Sequence, residues 1–214
     1  LIRVKICGVT SPDDAILCAK AGADAVGMLV EVKTSPRSIA PDKAGEIVKA
    51  LPPFVTPVIV MMPENHEDAI NAAKKCRPGA IQLHGDEPPE MLERIKDALP
   101  GIRIIKAIHV GEGEEAEKCK KYESIADAIL LDTASPLKGG TGITHDWSVS
   151  RNIASMLKIP VLLAGGLTPE NVGEAVRGVR PYGVDVSSGV EMKGNRFSKD
   201  ISRVTRFILN ARRA

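Results

Sequence analysis

The strongest constraint on this chain is an alternation. Short apolar runs of strand type give way to longer amphipathic runs of helix type, eight times over. The expected strands are Val4–Cys7, Ala25–Val30, Thr56–Met61, Ala80–Leu83, Arg103–Ile108, Ala128–Asp132, Pro160–Ala164 and Gly183–Ser187. The expected helices run roughly over Pro12–Ala21, Pro41–Ala50, Glu67–Cys76, Pro89–Leu99, Glu114–Glu123, Val149–Leu157, Pro169–Arg177 and Lys199–Arg212. Ser11-Pro12, Ala40-Pro41 and Thr168-Pro169 put proline in a first helical turn, where a missing N–H costs least. Eight pairs in 214 residues leave about 27 residues per unit, close to the minimum for a compact βα repeat. Most strands are apolar on both faces, as a parallel sheet covered by helices requires. An open doubly wound sheet shares that pattern. Eight units with no glycine-rich dinucleotide fingerprint after the first strand favour an α/β fold closed as a (β/α)8 TIM barrel. No domain boundary shows, so one barrel domain over residues 1–214 is expected.

Composition narrows the partners. With hydrophobics at 43% the chain can bury a good core as one domain. A formal net charge of only +2 gives no reason to expect nucleic acid or an acidic surface as the main partner. Arg203, Arg206, Arg212 and Arg213 read as a solvated face near a helix C-terminus, whose dipole suits them. Cys7, Cys18, Cys76 and Cys119 form no C-x-x-C pair, which fits a reducing compartment better than a disulfide frame or a structural zinc site. No apolar run approaches the ~20 residues of a membrane span. The first residues read as a strand and not as a signal peptide, so a cytoplasmic protein is expected.

In a barrel of this kind the active site lies where strands hand over to helices. Reading those ends in turn gives Cys7, the loop Thr34-Ser35-Pro36-Arg37, Gln82-Leu83-His84-Gly85, Asp132-Thr133, Gly165-Gly166 and Asp185-Val186-Ser187-Ser188-Gly189. Taken singly, Asp132 also reads as a helix cap and His84 as a core histidine. The last two loops say more. Glycines let backbone N–H groups approach an oxyanion, serine hydroxyls add donors, and the loops after strands seven and eight are common phosphate sites. Two tight turns that need glycine are the plain alternative. The gap Thr133–Ser148 is glycine-rich and reads as a functional loop.

Lys5-Ile6-Cys7-Gly8, Ser35-Pro36-Arg37, Gln82-Leu83-His84-Gly85-Asp86-Glu87, Leu131-Asp132-Thr133, Gly139-Gly140-Thr141-Gly142 with Asp146-Trp147, Gly165-Gly166-Leu167 and Asp185-Val186-Ser187-Ser188-Gly189-Val190-Glu191 closely resemble the phosphoribosylanthranilate isomerase family. They occur in the family's order from residue 4 to residue 191. The resemblance implies an Amadori rearrangement in tryptophan biosynthesis, with no metal or organic cofactor. N-(5-phosphoribosyl)anthranilate becomes 1-(2-carboxyphenylamino)-1-deoxyribulose 5-phosphate. It implies Cys7 as general base, Asp132 as general acid and Arg37 as clamp on the anthranilate carboxylate. His84 and Asp185 are assigned to substrate binding, and Gly165, Gly166, Ser187, Ser188 and Gly189 to phosphate. The expected partner is a small-molecule phosphosugar, not nucleic acid or membrane, with a homodimer left open. The chain departs from the family's habit at Met28-Leu29-Val30-Glu31-Val32, where aromatics are common, and at Ile143 and His145, where the loop is usually more basic and aromatic.

The chemistry asks two things of these groups. Cys7 must reach the thiolate, and Lys5, two residues earlier on the same strand face, is expected to lower its pKa. An unrelated ion pair between Lys5 and a neighbouring strand is the alternative. Asp132 must carry a proton near neutral pH, which desolvation beside Leu130 and Leu131 and a bound phosphate would favour. Three rival readings remain. The sibling isomerase of histidine biosynthesis has a carboxylate in place of Cys7 and a second phosphate grip, and neither is found. A phosphosugar-binding barrel without catalysis would merely pack Cys7. Cys7, His84 and Asp185 could also be joined as metal ligands, but they mix soft and hard donors without motif spacing.

Overall fold

The computed structural model describes residues 1–111, 113–133, 145–192 and 194–214. Among the described residues, strands and helices alternate as β1 (Arg3–Ile6), α1 (Pro12–Lys20), β2 (Ala25–Val30), α2 (Pro41–Ala50), β3 (Thr56–Met61), α3 (His66–Cys76), β4 (Ala80–Leu83) and α4 (Pro89–Ala98). They continue as β5 (Arg103–Val110), α5 (Glu115–Tyr122), β6 (Ala128–Thr133), α6 (Trp147–Met156), β7 (Val161–Leu163), α7 (Val172–Val179), β8 (Gly183–Val186) and α8 (Ile201–Arg213). Each strand pairs in parallel with its neighbours in sequence. β1 pairs with β8 on one edge and β2 on the other, so the sheet closes into the expected (β/α)8 barrel. A two-residue strand, Ser38–Ile39, adds to β2, and a hairpin of Glu191–Met192 with Asn195–Lys199 lies between β8 and α8.

The bounds of β2, β3, β4 and α2 fall where the sequence pattern puts them. The other bounds shift by one to three residues, and two late helix starts have a visible cause. The last helix begins at Ile201 because Asp200 caps it, accepting from the N–H groups of Ser202 and Arg203, and Lys199 belongs to the hairpin instead. The seventh begins at Val172 and not at Pro169. The Asn171 side chain accepts from Thr168 N–H and donates to Gly166 O, closing a turn ahead of the first regular residue.

Side chains on a strand alternate faces. One set, including Ile6, Val26, Ile59, Ile81, Ile104, Ile129, Leu163 and Val184, packs outward under the helices in the main apolar core. The other set turns into the barrel. There Val58, Ala80, Ile105, Ala128, Leu130 and Leu162 form a separate inner cluster. Continuing that inner parity toward the strands' C-terminal ends brings up Gln82, Asp132, Asp185 and Cys7. The barrel is thus plugged with apolar groups below and turns polar at one mouth.

The turn that carries His84 is fastened from outside the barrel. Lys106, buried on β5, donates to Gly85 O (2.7 Å), Ala107 O (2.9 Å) and Glu87 Oε2 (3.0 Å). Glu87 Oε1 accepts from Gly85 N–H, and Tyr122 donates its hydroxyl proton to Glu87 O. Removing one member of a buried pair leaves the other uncompensated. Glu87→Ala is therefore expected to cost about 3 kcal/mol of stability. A urea unfolding midpoint equal to wild type would show that Lys106 does not need this partner.

Candidate active site

Cys7, Arg37, His84, Asp132, Gly165, Gly166, Asp185, Ser187, Ser188 and Gly189 all line one cleft of about 790 Å³ at the C-terminal mouth of the barrel. The structure thus gathers every candidate residue into a single space.

Cys7 stands one step beyond β1 and stays in the ladder, its N–H donating to Val186 O at 2.8 Å. Beneath it Lys5 donates from Nζ to Asp185 Oδ1 at 3.0 Å, and the two residues are direct partners across β1 and β8. The expected effect of Lys5 on the thiol is present but loses. Burial pushes the Cys7 thiol up, Lys5 and Lys199 pull it back, Asp185 adds to the rise, and the net shift is upward. Burial alone would pull Lys5 down, yet the charges of Asp185 and Cys7 hold its ammonium above the ordinary value. The ion pair with a neighbouring strand, offered as the alternative for Lys5, is what forms.

Asp132 is the next-to-last residue of β6, with its Oδ2 3.3 Å from His84 Nε2, while its Oδ1 accepts from Thr133 N–H at 2.9 Å. The other His84 ring nitrogen, Nδ1, lies 3.0 Å from the Gln82 side-chain amide nitrogen. The ladder between β5 and β6 sets His109 directly beside Asp132. The two imidazoles meet edge to face at 5.2 Å, and His109 Nε2 is 3.3 Å from His84 O. These neighbours reverse the expected shift of Asp132. Burial alone would raise it, but the hydrogen bond and charge of His84, the charge of His109 and the Thr133 N–H together hold the carboxyl below its usual range.

Arg37 pairs with Glu191. Its Nε and Nη2 donate to the two carboxylate oxygens at 2.6 and 2.7 Å. Gly165 has φ +85°, and a Cβ there would come within 2.1 Å of Thr133 Oγ1. A Cβ on Gly189 would sit 2.0 Å from Leu167 O. Both loops spend carbonyl oxygens on side chains behind them, Gly166 O on Asn171 and Gly189 O on Arg203. Gly139, Gly140, Thr141, Gly142 and Ile143 lie outside the described residues. His145 contacts Thr133 Oγ1 at 3.1 Å and also Ser150 Oγ, and burial lowers its pKa.

His109, Glu191 and Lys199 carried no assigned role in the sequence reading. His109 fell just past the expected end of β5 at Ile108, although its parity with Ile105 and Ala107 was there to extend. Lys199, which the helical pattern would include, belongs to the hairpin. As for metal ligands, among the described residues the group whose donor atoms all lie within 4.8 Å of one another is His84, His109 and Asp132. Cys7 and Asp185 do not belong to it.

Access to the cleft singles out Cys7. Cys18 and Cys119 are buried and pushed up to about 12, and Cys76 to about 11. Alkylation of the native protein by iodoacetamide is therefore expected to report on Cys7, with a midpoint above that of an ordinary thiol. Lys5→Met should raise the midpoint further. A midpoint at or below about 8.5, the ordinary thiol value, would mean that burial does not control this group.

A model of the N-(5'phosphoribosyl)anthranilate (PRA) isomerase family matches residues 4–210. The N-(5'-phosphoribosyl)anthranilate isomerase of Methanocella arvoryzae is 56% identical over 212 residues, covering 99% of each chain. The solved phosphoribosyl anthranilate isomerase of Thermotoga maritima superposes with a TM-score of 0.89 at 41% identity, covering 100% of both chains. A solved phosphoribosyl anthranilate isomerase in complex with reduced 1-(o-carboxyphenylamino)-1-deoxyribulose 5-phosphate gives 0.86 at 38% identity, again covering 100% of both. With this barrel, this mouth and these matches along its length, the chain belongs to the N-(5'-phosphoribosyl)anthranilate isomerase family.

Proposed function

We propose that this chain, as one domain over residues 1–214, is the isomerase of tryptophan biosynthesis that converts N-(5-phosphoribosyl)anthranilate to 1-(2-carboxyphenylamino)-1-deoxyribulose 5-phosphate. The observation that carries the reading is that a thiol, a carboxyl, an arginine and the glycine- and serine-bearing loops all line one cleft. A small molecule with a carboxylate and a phosphate at its two ends fits that layout.

Opening the ribose ring requires a proton on the ring oxygen as its bond to C1 breaks. The iminium left behind makes the C2 hydrogen acidic, because nitrogen can accept the electrons. A base removes that hydrogen, and the enolamine tautomerises to the ketone. Asp132 is read as the acid and Cys7 as the base. Arg37 takes the anthranilate carboxylate, and the loops at Gly165–Gly166 and Ser187–Gly189 take the phosphate, so the reacting carbons are held between acid and base. His84 and Asp185 line the same cleft to bind the substrate; at rest His84 Nε2 lies 3.3 Å from Asp132 and Asp185 pairs Lys5. The substrate is the expected small-molecule partner. Among the described residues no helix is long and apolar enough to cross a membrane. A homodimer is the other expected partner.

The fluorescence decrease as phosphoribosylanthranilate is consumed tests the activity directly. Cys7→Ser and Asp132→Asn should each lower kcat by about 10²–10⁴-fold. Wild-type rates in either variant would remove that residue from the mechanism. Arg37→Ala should raise KM far more than it lowers kcat, and an unchanged KM would place Arg37 away from the anthranilate.

The shifts also fix the pH dependence. The working form needs Asp132 protonated and Cys7 ionised, yet Asp132 is shifted down and Cys7 up. Below the Asp132 pKa the thiolate is lost tenfold per pH unit while the acid is already full. Above the Cys7 pKa the acid is lost while the base is full. Between them the two dependences cancel. The kcat/KM profile is expected to be flat from about pH 6 to 8, not peaked. A tenfold rise per unit across that span would show that Asp132 is protonated there.

A further inference from the structure

The carboxylate grip and the phosphate grip are joined by groups that neither grip uses on substrate. Glu191 and Lys199 face each other as a cross-strand pair of the hairpin that follows β8. The Lys199 side chain is 0% exposed and its Nζ donates to Glu191 Oε1 at 3.1 Å and to Ser187 O at 3.2 Å. Glu191 in turn accepts both bonds from Arg37. One ammonium thus reaches the phosphate loop on one side and, through one carboxylate, the guanidinium on the other.

We propose that Glu191 and Lys199 are positioning residues that fix the separation between Arg37 and the Ser187 loop to the span of a substrate with a carboxylate at one end and a phosphate at the other. The inference rests on the isomerase reading given above. Three features of the geometry support it. First, Glu191 occupies only the Nε–Nη2 edge of the guanidinium. A guanidinium has five N–H donors in a planar fork, so the outer Nη1–Nη2 edge still offers two parallel bonds to a second carboxylate. Glu191 therefore aims Arg37 without consuming it. Second, Glu191 lies between the two cations Arg37 and Lys199, and Asp14 faces the charge of Lys199 from the other side of the chain, accepting from its backbone N–H. The two cations together hold Glu191 below its usual range although burial works against it, so it remains an anion at working pH. Third, the hub converges on Gly8, the residue after Cys7. A Cβ there would approach Ser187 Oγ to 2.7 Å, Arg37 Cδ to 2.8 Å and Lys199 Nζ to 3.5 Å. The same cluster therefore sets where both grips stand relative to the thiol, and Lys199 is one of the two charges that pull the Cys7 pKa down.

A buried ion pair that only held the fold together would alter the unfolding midpoint and leave the folded enzyme's kinetics alone. The experiment measures kinetics, inorganic phosphate affinity by calorimetry, and Cys7 alkylation on the full chain. Glu191→Gln is expected to raise KM for phosphoribosylanthranilate about tenfold or more, with inorganic phosphate affinity within about twofold of wild type. Lys199→Met should raise KM, weaken inorganic phosphate about tenfold, and move the Cys7 alkylation midpoint upward. Lys199→Arg should restore the midpoint and part of the KM. Arg37→Ala should cost less in the Glu191→Gln background than in wild type, because the two act as a unit. Glu191→Asp keeps the charge but shortens the reach, and serves if Glu191→Gln does not fold; it too should raise KM. Folded variants with wild-type KM, phosphate affinity and alkylation midpoint would overturn the proposal. If wild type consumes no phosphoribosylanthranilate, it is the isomerase reading that fails. The phosphate and alkylation measurements on Lys199→Met then decide the hub alone.

Discussion

The barrel exists only if β1 finds a partner on both edges, and the register of that closure decides the chemistry of the mouth. On the β8 side it sets Lys5 directly opposite Asp185, and the pair buries at 3.0 Å. A slip of one residue would turn Lys5 and Cys7 out among the helices and bring Val4 and Ile6 inward. Buried charges cost stability unless paired, so this register is penalised least and the alternatives more heavily. The pair therefore acts as a lock on alignment more than as a source of stability. It also brings Cys7 to the rim with a cation beneath it.

Much of this was legible because the two periods of the chain are unambiguous. β2, β3 and β4 are short apolar runs between strong turn residues, and their bounds could be read directly. The site was legible for a different reason. Once eight strands are counted, the rule that chemistry sits at their C-terminal ends turns Cys7, His84, Asp132, Asp185 and the two glycine–serine loops into neighbours, although 180 residues separate Cys7 from Ser187. What escaped was anything that depends on a partner out of register with that rule. Arg37 was seen, but Glu191 lies in a hairpin inserted after β8, where no strand–helix period applies. Lys199 was hidden because a lysine just before an amphipathic run looks like part of the helix. Asp200, which stops that helix short, was the overlooked signal.

The sign of the Asp132 shift escaped for a related reason. From sequence, two leucines beside a carboxyl argue for desolvation and a raised pKa. In the fold both leucines are buried, Leu131 on the outer parity, and the groups that meet the carboxyl come from β4 and β5. His84 and His109 are separated from it by 48 and 23 positions, and only the pairing of adjacent strands makes them its neighbours. Local composition reports burial well and reports charge partners hardly at all.

The opposed shifts of thiol and carboxyl define what the site has to do. At rest each group holds the proton state that the first half of the reaction does not want, thiol where a thiolate is needed and carboxylate where an acid is needed. Moving the proton from Cys7 to Asp132 is uphill, and the energy for it must come from binding. A substrate that brings a carboxylate to Arg37 meets the guanidinium edge that Glu191 leaves open. The same substrate brings a phosphate to the loops at Gly165 and Ser187, on the side where Asp132 stands across Thr133. Negative charge near Asp132 favours its protonated form. Exclusion of water around both groups strengthens every remaining charge–charge contact, among them Lys5 and Lys199 acting on the sulfur. The remote anions of the substrate thus do more than hold it still. They shift the acid toward the state that ring opening requires, so affinity at the two ends is converted into reactivity at the middle.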